Sequence, residues 1–260
     1  MLKGKTALVT GSTSGIGLGI ARALAAEGAD IALNGFGDAA EIEKLRQGIA
    51  SEFKVKTAYV PADVSKPQET TAMVERAEKE FGRLDILVNN AGIQHVAKVQ
   101  DFPPEKWEAI IAINLSSVFY GTRAALPGML KRNWGRIVNI ASTHGLVASA
   151  EKSAYVAAKH GVVGFTKAVA LETARTGVTC NAICPGWVLT RILQEQINTR
   201  ARTEKITPED AKHAIVGEKM PSGEAVTPEQ LGALLVFLCS DAAAQVRGAA
   251  LTMDGGWTAQ

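Results

Sequence analysis

The stretch Lys5-Thr6-Ala7-Leu8-Val9-Thr10-Gly11-Ser12-Thr13-Ser14-Gly15-Ile16-Gly17 is an apolar run that breaks into glycines and passes directly into helix-forming sequence. An apolar run of this length before a turn reads as a buried strand, and the residues after it as the start of a helix. Glycines at that junction permit a tight turn and let the backbone approach a pyrophosphate. The helix amino terminus adds free N–H groups and the positive end of a dipole. Strand, glycine loop and helix together predict a nucleotide site held by Gly11, Thr13, Ser14, Gly15, Ile16 and Gly17.

Outward from that stretch, strand-like and helix-like segments alternate to the carboxyl terminus. Strands are expected at 6–10, 31–34, 56–61, 86–89, 136–142, 179–184 and 250–253. Helices are expected at 15–27, 39–53, 66–81, 105–131, 154–173 and 228–240. Strands apolar on both faces and separated by helices indicate a parallel sheet covered on both sides. No Pro/Gly/Ser-rich linker or internal repeat divides the alternation, so one α/β domain of Rossmann type, doubly wound around a seven-stranded parallel sheet, is the expectation for 1–260. The segment 187–226 breaks the pattern with charged, helix-like pieces at 191–203 and 208–218. It reads either as a lid over the carboxyl edge of the sheet or as a peripheral helical excursion.

Composition narrows the partners. The 260 residues are 47% hydrophobic and 21% charged, with a net charge of +2. That charge is too small to point to nucleic acid or a membrane surface, and no basic run interleaves with aromatics. The amino terminus has no charged-then-apolar leader, and the apolar run 231–239 is too short to span a bilayer. The three cysteines, Cys180, Cys184 and Cys239, contain no CxxC pair, and a reducing cytoplasm fits them. No metal is expected, because His95, His160 and His213 lack metal-ligand spacing with acidic partners.

Further motifs carry a resemblance. The loop spacing TGxxxGxG, Asn89-Asn90-Ala91-Gly92 after the fourth strand, Ser142 at the end of the fifth, Tyr155-Val156-Ala157-Ala158-Lys159 opening a helix and Pro185-Gly186 after the sixth strand occur in this order. Together they resemble the short-chain dehydrogenase/reductase family along essentially the whole chain. The resemblance implies hydride transfer between a nicotinamide cofactor and a secondary alcohol or ketone. Its catalytic positions fall on Asn114, Ser142, Tyr155 and Lys159. The chemistry explains the set. A phenol can exchange a proton with the substrate oxygen, and its unperturbed pKa of about 10 needs lowering. Lys159, four residues on, shares a helix face with Tyr155, and its cation is expected to lower it. Ser142 holds the substrate oxygen, and Asn114 matches the residue that anchors a relay water.

The resemblance also places Asn34, Gly35, Phe36, Asp63, Val64, Asn90, Ala91, Gly92, Pro185, Gly186 and Val188 against the cofactor, beside Tyr155 and Lys159. NAD-dependent relatives often carry an acidic residue where this chain has Gly35, yet no Arg or Lys stands there to bind a 2′-phosphate. NAD is therefore expected, with Asn34 on a ribose hydroxyl and Phe36 near the adenosine. Asp63 has a second reading as the cap of the next helix.

Gln94, His144, Lys152, Trp187, Gln196 and Trp257 lie in stretches that resemble the bacterial members of the family acting on D-3-hydroxybutyrate. That likeness implies a carboxylate collected by Gln94, His144, Lys152 and Gln196, with Ser142 and Tyr155 at the reacting oxygen and Trp187 and Trp257 as walls. The lid departs from the family pattern at Leu189-Thr190-Arg191 and Pro221-Ser222-Gly223-Glu224. A 3-oxoacyl carrier-protein reductase or another short-chain ketone reductase, and a non-catalytic nucleotide sensor, are the other readings. Long helices at 105–131 and 154–173, and an apolar carboxyl-terminal segment, resemble those that pair subunits, so a homotetramer is expected.

Overall fold

The apolar run after Lys5 is β1, Thr6–Val9, and all four of its residues are buried. A computed structural model describes residues 1–260. After β1 come α1 (Gly15–Ala26), β2 (Asp30–Leu33), α2 (Ala39–Phe53), β3 (Thr57–Tyr59), α3 (Pro67–Phe81) and β4 (Ile86–Asn89). The second half runs through α4 (Pro104–Ile111), α5 (Ser117–Arg132), β5 (Gly135–Ile140), α6 (Ser153–Glu172) and β6 (Val178–Pro185). It finishes with α7 (Arg191–Glu204), α8 (Pro208–Val216), α9 (Pro228–Cys239) and β7 (Ala250–Met253).

The strands form one sheet in the order β3-β2-β1-β4-β5-β6-β7, and every adjacent pair is parallel. The chain winds outward from β1 to β3, then returns beside β1 as β4 and winds the other way. That reversal opens a crevice at the carboxyl ends of β1 and β4, where ligands of open α/β sheets bind. The glycine loop leaves β1 at this point.

Alternation along each strand decides which layer it feeds. Ala7, Val9, Ile31, Leu33, Ile86 and Val88 pack with Ile20 and Leu24 of α1 and with Leu231, Leu235 and Leu238 of α9. Leu8, Ala32, Leu87 and Ile137 face the other way, onto Met73 and Ala77 of α3, Ala125 and Met129 of α5 and Val169 of α6. Each such Val, Leu, Ile or Met side chain contributes about 1.5–3 kcal/mol when fully buried. Exposed ion pairs such as Arg22–Glu52 contribute about 1 kcal/mol at most, so the two apolar layers determine the architecture.

The helix expected at 105–131 is one continuous run, but it widens at Ala112–Ser116 into a turn of π-helix. Such wide turns gather at functional sites, and Asn114 sits at the middle of this one. By length and composition the run from Pro104 to Arg132 could cross a bilayer, longer than the apolar stretch considered above. In the fold it lies against α3, β4, β5 and α6. Between β6 and α9 the segment 187–226 folds as α7 and α8, close to the two expected pieces. Its base is closed by a parallel bridge between Val188 and Val226.

Candidate active site

Two loops meet at the crevice. The hydroxyl of Thr10 accepts from the N–H groups of Asn90 (2.9 Å) and Ala91 (3.0 Å). The Asn90 amide donates back to the carbonyls of Thr10 (2.8 Å) and Gly11 (3.2 Å). Asn90 thus builds the cradle by tying the loop after β4 to the glycine loop. Gly17 fits beneath them because a Cβ there would stand 2.3 Å from the Gly11 carbonyl oxygen. Ser14 precedes α1 and no side chain caps that helix, so its first N–H groups remain directed out of the helix end. A cradle that a Cβ would fill, beside uncapped helix donors, fits the pyrophosphate of a dinucleotide.

The loop after β2 corrects one expectation. Asn34 is 2% exposed, and its amide donates to the carbonyls of Val60 (3.1 Å) and Ala62 (3.3 Å) while its oxygen accepts from Gly11 N–H (3.4 Å). Both amide protons are engaged on the strand-three side, so Asn34 positions the glycine loop and does not reach toward a ribose. Gly35 has φ +153°, and a Cβ there would meet the Thr13 hydroxyl at 2.5 Å. Thr13 in turn donates to the Phe36 carbonyl (3.0 Å), and Tyr59 donates to that of Gly35 (2.7 Å). Phe36 projects from this bolted turn, 73% exposed. Asp63 accepts from the Ser65 hydroxyl (2.6 Å) and N–H (3.0 Å), closing a turn ahead of α3, whose cap position is Lys66. Val64 is buried in the core beside it.

The four catalytic candidates converge at the ends of β4 and β5. Tyr155 and Lys159 share a face of α6, with the ammonium 5.6 Å from the phenol ring centroid. Lys159 is buried and donates to the Ile140 carbonyl, the last residue of β5, at 2.7 Å. Burial pulls its ammonium down to about 8. Asn114 exchanges two hydrogen bonds with the backbone of Ile93, both 2.9 Å. Gly92 lies between them: a Cβ on it would stand 3.5 Å from the Asn114 oxygen and 3.8 Å from the Lys159 nitrogen. Ser142 accepts from the N–H of His144 (3.2 Å). Burial raises the Tyr155 phenol above its ordinary value, and the Ser142 hydroxyl partly offsets this. The expected lowering by Lys159 is not the governing effect, because Lys159 lies over the ring face and desolvation acts directly on the hydroxyl.

Beside this cluster is a cavity of about 620 Å³, walled by Lys152, Trp187, Gln196 and Trp257. Lys152 Nζ stands 5.6 Å over the Trp187 ring. Burial, and then the charge of Lys219, holds its ammonium below the usual value. His144 joins the cavity to the catalytic cluster. Its ring is edge-on to Tyr155 (5.9 Å) and to Trp257 (5.3 Å), and its Nε2 lies 2.9 Å from Ser149 Oγ. Burial first, then the charges of Lys152 and Lys219, push the imidazole down to about 4. His144 is therefore neutral near pH 7 and acts as a hydrogen-bonding group. Gln94 is exposed and is not among the residues walling the cavity.

The family model described as short chain dehydrogenase matches residues 5–201. The chain belongs to the short-chain dehydrogenase family. Nicotinamide cofactors serve that family. The D-beta-hydroxybutyrate dehydrogenase of Cupriavidus necator is 66% identical over 264 residues, covering 100% of both chains. A protein of the same name from Rhizobium meliloti is 53% identical, over 98% of this chain and 99% of its own. Among solved structures, an actinorhodin polyketide ketoreductase with NADPH superposes with TM-score 0.90 at 38% identity, over 99% of each chain. A putative gluconate dehydrogenase from Agrobacterium tumefaciens gives 0.89 at 33% identity, over 100% of this chain and 98% of its own. The expected family and doubly wound fold are thereby established.

Within this short-chain dehydrogenase, Pro185 ends β6 and Gly186 donates to the Met253 carbonyl at 3.0 Å; Trp187 then walls the cavity, and Val188 is buried in the core. Asp254 holds the turn carrying Trp257 by accepting from Thr258 N–H (2.9 Å) and Gly256 N–H (3.2 Å). Ser149, Arg200, Ile215, Glu218 and Lys219 also wall the cavity. Sequence reasoning missed these five. None of the five lies in a motif, and Glu218 and Lys219 read as ordinary charged residues of the segment 187–226.

Proposed function

We propose that this chain interconverts D-3-hydroxybutyrate and acetoacetate with NAD, with the acid's carboxylate held by Lys152. The observation that carries the reading is a cation over the Trp187 indole, in a cavity that Trp257 also walls and that His144 joins to Tyr155. A short anionic acid needs one charged partner and several donors at one end and a proton-transfer group at the other. The named activity of the two hydroxybutyrate dehydrogenase relatives points the same way.

A bound nicotinamide cofactor supplies the hydride acceptor for oxidation and the donor for reduction. Tyr155 takes the hydroxyl proton in oxidation and gives it back in reduction. Its raised pKa keeps the phenol protonated at rest, ready for reduction. Lys159, fixed on the Ile140 carbonyl, stabilises the phenolate that oxidation requires. Ser142 positions the substrate oxygen, and Asn114 holds the loop through Ile93 against Lys159. NAD is supported by Gly35, where Thr13 leaves no room for a side chain, and by the absence of Arg or Lys in the glycine loop. Phe36, exposed beside it, suits an adenosine.

A homotetramer is supported by exposed apolar residues on the expected pairing helices, Phe119 and Leu130 of α5 and Leu171 of α6, and by Phe237 on α9. The thiols of Cys180, Cys184 and Cys239 are buried and unbridged, which suits the cytoplasm. The test of the activity is a spectrophotometric NADH assay across short 3-hydroxy acids, both enantiomers included. Turnover confined to D-3-hydroxybutyrate and near homologues is expected, and a preference for neutral alcohols would overturn the reading.

A further inference from the structure

We infer that Lys219, on the lid, is a specificity-determining second cation for the substrate carboxylate and works opposite Lys152 on the body of the domain. The inference rests on the proposed hydroxy-acid reading. Lys219 and Lys152 wall the same cavity, together with Trp187, Gln196 and Trp257. They come from separate parts of the fold: Lys152 immediately precedes α6, and Lys219 follows the last turn of α8.

The backbone holds Lys219 in place from both sides. Its N–H donates to the Val216 carbonyl at 3.2 Å. The next residue, Met220, is fully buried, and its sulfur accepts the N–H of Trp187 at 3.2 Å. Two residues further, Ser222 N–H donates to the Gly255 carbonyl at 3.0 Å, in the turn that carries Trp257. The segment bearing Lys219 is thus joined to the chain of both tryptophan walls.

The charge around the cavity is unbalanced. Its walls hold Lys152, Lys219 and Arg200 against one carboxylate, Glu218. Arg200 is engaged by Glu204 at 3.0 Å. Lys152 has an aromatic ring rather than a carboxylate as its partner. Lys219 meets Glu218 at 3.4 Å, with both side chains substantially exposed, and such pairs are weak. The charge of Lys219 is felt at both Lys152 and His144. An anion between the two ammonium groups relieves their repulsion and links lid to body, whereas a neutral molecule does neither.

The test uses the full-length protein with cofactor and compares wild type, Lys219→Ala, Lys219→Arg and Glu218→Gln. Inhibition constants are measured for butyrate and for uncharged butyramide, and kcat and KM for acetoacetate and its neutral methyl ester. Lys219→Ala should weaken butyrate and raise the KM for acetoacetate by about tenfold, the order for one of two partly solvated cations. Butyramide should change far less, Lys219→Arg should restore butyrate binding, and Glu218→Gln should tighten it. Unchanged butyrate inhibition in Lys219→Ala, or equal weakening of butyrate and butyramide, overturns the inference while wild-type turnover of 3-hydroxybutyrate leaves the substrate reading standing. A wild type that ignores 3-hydroxybutyrate defeats that reading instead, and the butyrate-to-butyramide comparison still decides the role of Lys219.

Discussion

Lys159 ties α6 to the end of β5 through a 2.7 Å hydrogen bond from its ammonium to the Ile140 carbonyl. The same contact fixes where the cation lies relative to Tyr155, since both residues share one helix face. Lys159→Met should break this anchor and remove the charge. Turnover should fall by about 10²-fold or more. Lys159→Arg should rescue little, because a guanidinium differs in shape and reach from the ammonium that fits here. Stopped-flow or steady-state NADH measurements on folded variants check this.

Tyr155→Phe keeps the ring that packs against His144 and deletes only the hydroxyl. Cofactor binding should persist, read by nucleotide fluorescence, while kcat falls about 10²–10⁴-fold. Near-normal turnover would remove Tyr155 from proton transfer.

His144 gives stability a pH signature. Its folded pKa, about 4, lies below the ordinary 6.5, so between those values the unfolded chain binds more protons than the folded one. Stability should therefore be complete above about pH 6.5 and decline as pH falls toward 4, by up to about 3 kcal/mol from this group. Urea melts of wild type and His144→Gln across that range should show a shallower decline in the variant. Parallel curves would contradict a buried neutral imidazole.

Motifs local in sequence were legible, and contacts made only by folding were not. Gly11, Gly15 and Gly17 announce a cradle because the turn they make is contained in seven residues. Tyr155 and Lys159 do the same because one helical turn brings them together. By sequence Asn34 faces the ribose. Its partners Val60 and Ala62 lie 26 and 28 residues away, so nothing near it in sequence reveals its inward turn. Lys219 and Arg200 carry no spacing signal, since only the fold of the segment 187–226 brings them to the cavity. The wide turn at Asn114 preserves apolar periodicity well enough to pass for plain helix. Burial, which spacing cannot report, holds the Tyr155 phenol above its ordinary value.

Cofactor choice follows from the turn after β2. NAD should give a much higher kcat/KM than NADP under matched conditions. Gly35→Ala should weaken both cofactors, because its Cβ would press on the Thr13 hydroxyl at 2.5 Å and displace the loop. A wild-type preference for NADP would contradict this account of the turn.

The hydroxy-acid reading depends most directly on Lys152. The decisive measurement is kcat/KM of Lys152→Ala for acetoacetate against its neutral methyl ester, with NADH affinity followed in parallel. Removing one member of a partly desolvated charge pair costs about 2 kcal/mol or more, roughly thirtyfold. The account predicts a loss of that size for acetoacetate, a much smaller one for the ester, and unchanged cofactor affinity. Equal losses on the charged and neutral substrates would contradict it.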